Sequence, residues 1–519
     1  MTRAAKLLLV PLLALQVAFF TFVALHRFVD GDEGFYLLAS RLVLMHKKPY
    51  LDFFYTQAPL LPYAYALWMK FTGVSWVSAK IFSALLTALL GTLLYEHVCE
   101  QTRNWVAGLA AGVMFASSTL IFAWFPVVKT FSLAELFLFA AYVVVSRISP
   151  TSSRWLIAAS GMSFGLSVDT RSYLLLVTPV FLWWIFRNSD VGARRASTLW
   201  FLGGLIVGTL PSLYLFLSSP NAFLFNNMGY HALRSNSGLI GFWEEKFAAI
   251  VASFLLKWEG SNAIQASLLF VVSVAFVFSI HKRRYSPRFA FQIAVAIGLI
   301  SLLPTPVWPQ YFCLCMPFLI VSAVCVVNDL FAELELRRAR LIAAAACVFL
   351  LGIYSASSVD DFRRFLFTGD GVPGGVERAL DRGDWRVQRV MEVSRAVDQI
   401  ARPGEIVASF WPGDIFQTHT DSFPGFENDF ATPIADKLSS EQRARYHILS
   451  PAEIEADFAA HRPRVVVLRN QIFTFRATTR DDLKGLRTAE VFRRSLLADG
   501  YTVVRAVGET SIYVCCSKP

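Results

Sequence analysis

At 519 residues, 55% hydrophobic and only 17% charged, with a mean hydropathy of +0.49, the chain is too apolar to be a soluble protein over most of its length. Its formal charge of +10 does not point to nucleic acid, because the basic residues sit in short loops between apolar runs, where orientation in a membrane requires them. The seven cysteines offer no disulfide framework: Cys313, Cys315, Cys325 and Cys347 fall inside apolar runs, Cys515 and Cys516 are adjacent, and none has zinc-ligand spacing.

The first apolar run, residues 7–25 after Arg3 and Lys6, is about 19 residues long and no small-x-small cleavage pattern follows it. It is expected to be a retained helix entering from the cytoplasm. Directly after it, Asp30, Asp32 and Glu33 form an acidic cluster, and Asp32 and Glu33 open an apolar pattern (Phe35, Tyr36, Leu38, Ala39, Leu42, Val43) of helical spacing. Both acids therefore fall in a first turn, where the helix dipole favours them. Two readings stay open from the residues alone: charges that start a helix, or a general base held where water meets lipid, beside aromatics (Phe35, Tyr36, Phe53, Phe54, Tyr55) able to flank a sugar. Residues 56–71, rich in proline and tyrosine and carrying Trp68, predict a second surface-lying helix in the headgroup zone.

Ten further apolar runs follow, at 77–95, 105–125, 130–146, 155–168, 173–186, 199–217, 263–280, 289–303, 312–327 and 341–354, giving eleven candidate spans. Counted from a cytoplasmic start, the inner loops hold Arg103, then Arg147 and Arg154, then Arg187, Arg194 and Arg195, then Lys282, Arg283, Arg284 and Arg288, then Arg337, Arg338 and Arg340. Every alternate loop thus follows the positive-inside bias. An odd count places the remainder of the chain on the same face as Asp32. That remainder is charged and turn-rich, with strand-like runs at 405–410, 465–468, 502–507 and 511–515 between helical patterns at 386–400, 451–461 and 489–498. The expected organisation is a transmembrane module over 1–357, with a first outer loop at 26–75, and an extracytoplasmic α/β domain over 358–519.

A sugar phosphate under attack needs its phosphate charge held as it leaves, so cations at the outer face are the next candidates. Arg171 and Lys129 stand between apolar runs, with Arg234 a lesser third. Asp169 is as good a partner for Arg171 as a phosphate, and Lys129 has Glu135 about one turn away as a local partner. Lys80, near the end of its run, reads as an anchor. The proline-rich loop 304–309, followed by Gln310 and Tyr311, either lines a cavity or simply breaks a helix. The loop 221–265 carries Asn226, Asn227, Tyr230 and His231, a hydrogen-bonding and aromatic mix suited to a sugar cleft or to ordinary surface. In the tail, the segments starting at Phe410 and His419 combine acids, aromatics and turn residues at strand ends, where loops carry binding groups. The three clustered acids lack further ligands to complete a metal shell.

Asp32-Glu33-x-x-Tyr36 after the first span, followed by Pro49-Tyr50-x-Asp52-Phe53-Phe54-Tyr55-x-Gln57-x-Pro59-Leu60, resembles the first periplasmic loop of GT-C glycosyltransferases. The nearest branch is that of the protein O-mannosyltransferases and the aminoarabinose transferases of lipid A. The resemblance implies a multi-pass protein of the inner (plasma) membrane that takes a monosaccharide from a polyprenyl-phosphate carrier and passes it to a glycan, glycolipid or protein acceptor. It also implies inversion at the anomeric carbon, and neither metal nor cofactor. By that resemblance Asp32 is the base and Glu33 its neighbour; from their own positions in the sequence Arg171 and Lys129 are the candidate phosphate ligands, and Tyr36, Tyr55, Gln57, Gln310, Tyr311 and His231 the candidate substrate contacts. Two departures from the aminoarabinose branch stand out: Phe35 replaces an arginine, and Thr56-Gln57-Ala58-Pro59 replaces Glu-Lys-Pro-Pro. The rival from another class, a transporter or flippase for a lipid-linked glycan, prefers charges at mid-membrane and paired halves with broken helices.

Overall fold

In a computed structural model of the chain, the residues described are 3–149, 152–234, 239–254, 262–279, 286–304, 307–372, 376, 379, 381–428, 430–470 and 479–515. All eleven apolar runs are helical over most of their length. Four helices among the described residues are long and apolar enough to cross a membrane: α1 (Arg3–His26), α4 (Trp76–Thr102), Pro309–Glu333 and Arg337–Thr368. A pair bent by 60°, Arg194–Gly208 and Leu210–Ser218, makes a fifth if it is one span. Other runs are broken into shorter pieces. Run 105–125 splits at Ser118 into Trp105–Ser117 and Thr119–Trp124, and run 173–186 begins as a 3-10 turn, Ser172–Val177, before helix Thr178–Asn188.

The chain forms two compact units. The first comprises Met1–Ala24, Ser83–Pro211 and Ser237–Phe365. In it the helices Arg154–Thr170 and Arg194–Gly208 pack backbone to backbone, through Gly161 and Gly165 on one and Gly204 and Gly208 on the other. A Cβ on Gly161 would lie 2.0 Å from the Phe201 carbonyl oxygen, and one on Gly204 2.0 Å from that of Ala158. Small residues four apart give membrane helices this close approach, where dispersion replaces the hydrophobic effect as the force between them.

The second unit comprises Leu25–Phe82, Ser212–Asn236 and Leu366–Pro519. The acidic loop and the tail therefore belong to one body, with α2 (Glu33–Leu44) packed on α3 (Leu60–Thr72). The tail's five strands are β1 (Ile406–Ser409), β2 (Asp421–Ser422), β3 (Val465–Arg469), β4 (Thr502–Val507) and β5 (Thr510–Val514), in the order β2-β1-β3-β5-β4. β1 runs parallel to β2 and β3, and β5 antiparallel to β3 and β4. Central β3 is buried throughout, as its unbroken Val-Val-Val-Leu predicts. Alternate residues Ala408, Phe410, Val466, Leu468 and Tyr513 share one core with Phe458, Phe492 and Leu496 from the helices Pro451–Ala459 and Thr479–Ala498. The helix Val387–Ile400 buries Val390, Val393 and Val397 and packs against β4.

Candidate functional site

In the second unit, Asp32 is the N-cap residue of α2, and its carboxylate makes no capping bond. An N-cap aspartate ordinarily spends that carboxylate on the first free backbone N–H groups. Here the side chain is half-buried, and the Asp32 backbone N–H donates to Asp30 Oδ1 at 3.0 Å. Glu33 is occupied differently. It is fully buried; both carboxylate oxygens accept from Lys80 Nζ at 3.0 Å, and Oε1 also accepts the Asp30 N–H at 2.8 Å. Lys80 is thus the partner of an acid 47 residues earlier rather than a lone anchor. Arg27, also buried, lies 3.9 Å from the Asp30 carboxylate; burial pulls its pKa below the usual guanidinium range against the pull of Asp30 and Glu33.

The loop is braced from the tail. Trp411 Nε1 donates to the Gly31 carbonyl at 2.8 Å, and Gly34 lies so close that a Cβ there would meet the Trp411 ring at 2.9 Å and the Gly413 nitrogen at 2.7 Å. Trp411 is held in turn. Trp76 stacks on it at 5.9 Å, Trp385 meets it edge to face at 5.1 Å, and the Arg469 guanidinium lies against both Trp411 and Trp385, 4.4 and 4.6 Å from their ring centroids. Arg469 also grips the buried Asp414 through two hydrogen bonds, at 2.6 and 3.1 Å. Burial pushes the Asp414 carboxyl pKa up and Arg469 opposes the shift. Further along, Arg41 reaches from α2 to the carbonyls of Ile415, Phe416 and Thr420.

The aromatic residues expected near a sugar are gathered. Tyr36 and Tyr55 are 4% and 0% exposed, with Phe35 and Tyr36 centroids 4.1 Å apart and Tyr36 and Tyr55 6.3 Å apart. The Tyr55 N–H donates to Asn226 Oδ1 at 3.1 Å, while its buried hydroxyl has no hydrogen-bond partner among the described residues, and burial raises its pKa well above the usual phenol value. His231 Nε2 donates to the Thr56 carbonyl at 3.0 Å, and the Tyr50 hydroxyl donates to the Gln57 carbonyl at 2.5 Å. His231 thereby fixes the segment that carries Tyr55 and Gln57.

The tail loop after β2 holds a second perturbed acid. Glu427 is buried and accepts the Gly425 N–H at 2.7 Å; burial, outweighing that bond, raises its carboxyl pKa from 4.5 to about 7. Stability linked to the neutral carboxyl is complete below the unfolded value and is lost as pH rises through about 7. Glu427→Gln should therefore match the wild type in thermal unfolding at pH 5 and exceed it at pH 8, by on the order of 1–3 kcal/mol. Parallel pH profiles for the two proteins would contradict this.

In the first unit, four residues singled out from sequence meet. Arg171 is 6% exposed; its Nη1 donates to Thr130 Oγ1 at 2.5 Å, and its guanidinium lies 4.4, 4.8 and 5.2 Å from the ring centroids of Phe131, Tyr173 and Tyr311. Lys129, 3% exposed, donates to Gln310 Oε1 at 2.9 Å and lies 5.1 Å from the Trp124 ring. The positions follow from helix ends: Lys129 precedes Thr130–Ser146, Arg171 terminates Arg154–Thr170, and Gln310 and Tyr311 open the turn Pro309–Cys315. Glu135, offered by the sequence as a partner for Lys129, is fully buried, and among the described residues neither carboxylate oxygen has a hydrogen-bond partner. Among the described residues no group of three or more His, Cys, Asp or Glu gathers as a metal shell.

A sequence model of the family described as dolichyl-phosphate-mannose-protein mannosyltransferase matches residues 56–215. No curated protein sequence matches the chain. Among solved structures, ArnT from Cupriavidus metallidurans bound to undecaprenyl phosphate superposes with a TM-score of 0.66 at 14% identity, covering 100% of this chain and 99% of that one. The same protein in the apo state gives 0.65 at 13% identity, covering 98% of each chain. The chain therefore has the fold of ArnT, and over residues 56–215 it is similar to the protein mannosyltransferases.

Proposed function

We propose that the chain is an inner-membrane glycosyltransferase that moves one monosaccharide from a polyprenyl-phosphate carrier to the hydroxyl of an extracytoplasmic acceptor. The observation that carries the reading is the placement of Asp32: a half-buried carboxylate at the start of α2, on a loop fixed by the Glu33–Lys80 pair and by Trp411. The likeness to a structure with undecaprenyl phosphate bound supports a polyprenyl donor.

In the reaction, the acceptor oxygen forms a bond to the anomeric carbon while the bond from that carbon to the phosphate oxygen breaks. The polyprenyl phosphate departs with the electron pair, and the acceptor proton passes to Asp32. One displacement of this kind inverts the anomeric centre. Arg171 and Lys129 neutralise the departing phosphate, Arg171 through its planar fork, and Gln310 and Tyr311 hold those cations in place. Glu33 acts through the loop rather than on substrate. Tyr36, Tyr55, Gln57 and His231 shape the wall beside the sugar. Eleven spans, with residues 358–519 outside, complete the arrangement and put Asp32 and the tail in one compartment; reporter fusions placing them in opposite compartments would refute it.

The deciding experiment is mass analysis of envelope glycolipids, polysaccharides and glycoproteins with and without the gene, since one missing sugar names donor and acceptor together. Arg171→Ala is expected to raise the KM for the donor at least ten-fold while leaving the acceptor KM within about two-fold, a loss of about 1.4 kcal/mol or more of donor binding. An unchanged donor KM in steady-state assays would move the phosphate site elsewhere.

A further inference from the structure

The helix Val387–Ile400 and strand β4 enclose an open groove of about 370 Å³, lined by Arg389, Glu392, Arg395, Gln399, Arg505 and Gly508 among others. A solvated helix face normally compensates its own charges three or four residues apart. This one does not. Arg395 has Glu392 and Asp398 at those spacings, but Glu392 is engaged by Arg389 at 2.7 Å and Asp398 by His419 at 3.1 Å. Among the described residues Arg395 has no carboxylate partner, and it is exposed. Across the groove Arg505 donates at 2.6 Å to Gln399, a neutral group.

Arg505 faces the groove because of a fault in the sheet. Val503 pairs with Tyr513 and Arg505 with Ile512, so Val504 is an extra residue in β4. In an unbroken register Val504 would oppose Ile512, and Arg505 would fall on the opposite face, toward the Tyr513 core. The bulge turns the arginine to the side of Val387–Ile400. Bulges recur where a strand must re-aim a functional side chain. The groove floor is made of small residues, Ala396, Ala506 and Gly508, which leaves the space open.

From these features we infer that the tail carries an anion site for a phosphate-bearing group of about the size of one sugar. Two unneutralised guanidinium forks facing one cavity suit the paired oxygens of a phosphate monoester or diester. A volume of a few hundred Å³ fits a ligand of that size. The site stands apart from the transfer reaction and does not rest on it. The phosphate can come from a soluble glycan or from a lipid headgroup, and the test separates them.

Full-length protein in a neutral detergent is titrated calorimetrically with glucose 1-phosphate and with short-chain phosphatidylglycerol, using phosphatidylcholine as the zwitterionic control. At least one anionic probe should bind, and Arg395→Ala with Arg505→Ala should weaken it ten-fold or more at unchanged thermal unfolding. Lysine at both positions should restore part of the affinity. Binding of the sugar phosphate alone assigns a glycan phosphate, and binding of phosphatidylglycerol alone assigns a headgroup. No binding of either anion, or equal binding by wild type and the double alanine variant, overturns the site. Deletion of Val504 provides an independent check, because it preserves every charge but restores the register; unaltered affinity in a folded deletion variant counts against the bulge argument and the site with it.

Discussion

Asp32→Asn should lower the rate of sugar transfer by about 10²–10⁴-fold, the usual range for loss of a positioned general base. The amide matches the carboxylate in shape, so Asp30 Oδ1 still receives the backbone N–H of residue 32 and α2 still begins at Glu33. What disappears is the ability to take a proton. The donor KM and the thermal unfolding midpoint should therefore stay close to wild type, because Asp32 is half-buried and caps nothing. Glu33→Gln separates this role from its neighbour's. That change leaves Lys80 as an uncompensated buried cation, and removal of one partner of such a pair costs about 3–5 kcal/mol. The two adjacent substitutions should thus fail differently: the first in turnover with the fold intact, the second in stability. Full transfer activity in Asp32→Asn, measured with a polyprenyl-phosphate sugar and saturating acceptor, would remove Asp32 as the base.

Much of this was readable in the chain because helices and strands leave local periodic signals. The apolar runs marked the helices, and short runs rich in β-formers marked β1, β3, β4 and β5 almost to the residue. Local signals also explain the misses. β2 is only two residues long, so no alternation could show it, and the tail helix beginning at Thr479 starts ten residues before the pattern that revealed its end. The break at Ser118 and the 60° bend between Gly208 and Leu210 interrupt runs whose composition is uniformly apolar. Contacts between distant segments were less visible still. Acid clustering and the resemblance singled out Asp32, and position between apolar runs singled out Arg171 and Lys129, but nothing in the spacing of Glu33 and Lys80 announces that they pair. The grouping of Leu25–Phe82 and Ser212–Asn236 with the tail is likewise a tertiary fact. One signal was available and unused: Arg469 closes the run Val-Val-Val-Leu of a fully buried strand, and a charge at such a position requires a buried partner.

That arginine carries the second large expectation. Arg469→Met should destabilise the protein by about 3–5 kcal/mol, because Asp414 would keep its burial and lose the cation that offsets it. Combining it with Asp414→Asn should recover most of the loss, since an apolar side chain beside a neutral amide leaves no buried charge unmatched. The recovered double variant then isolates the second function of Arg469. Its guanidinium lies against both Trp385 and Trp411, and Trp411 holds the Gly31 carbonyl one residue before Asp32. Without the cation the Trp411 ring loses one of its fixed neighbours, and the loop that presents the base loses definition. A stable double variant should accordingly show a several-fold lower kcat at an unchanged donor KM, because misplacement of a base affects the transition state and not the phosphate contacts. Trp411→Phe, which keeps an aromatic side chain but removes the five-membered ring and with it the N–H bond to Gly31, should reproduce that kcat loss, with a stability cost from the cavity left at this buried site. If both variants fold and turn over at the wild-type rate, the tail does not position Asp32, and the hydrogen bond from Trp411 serves packing alone.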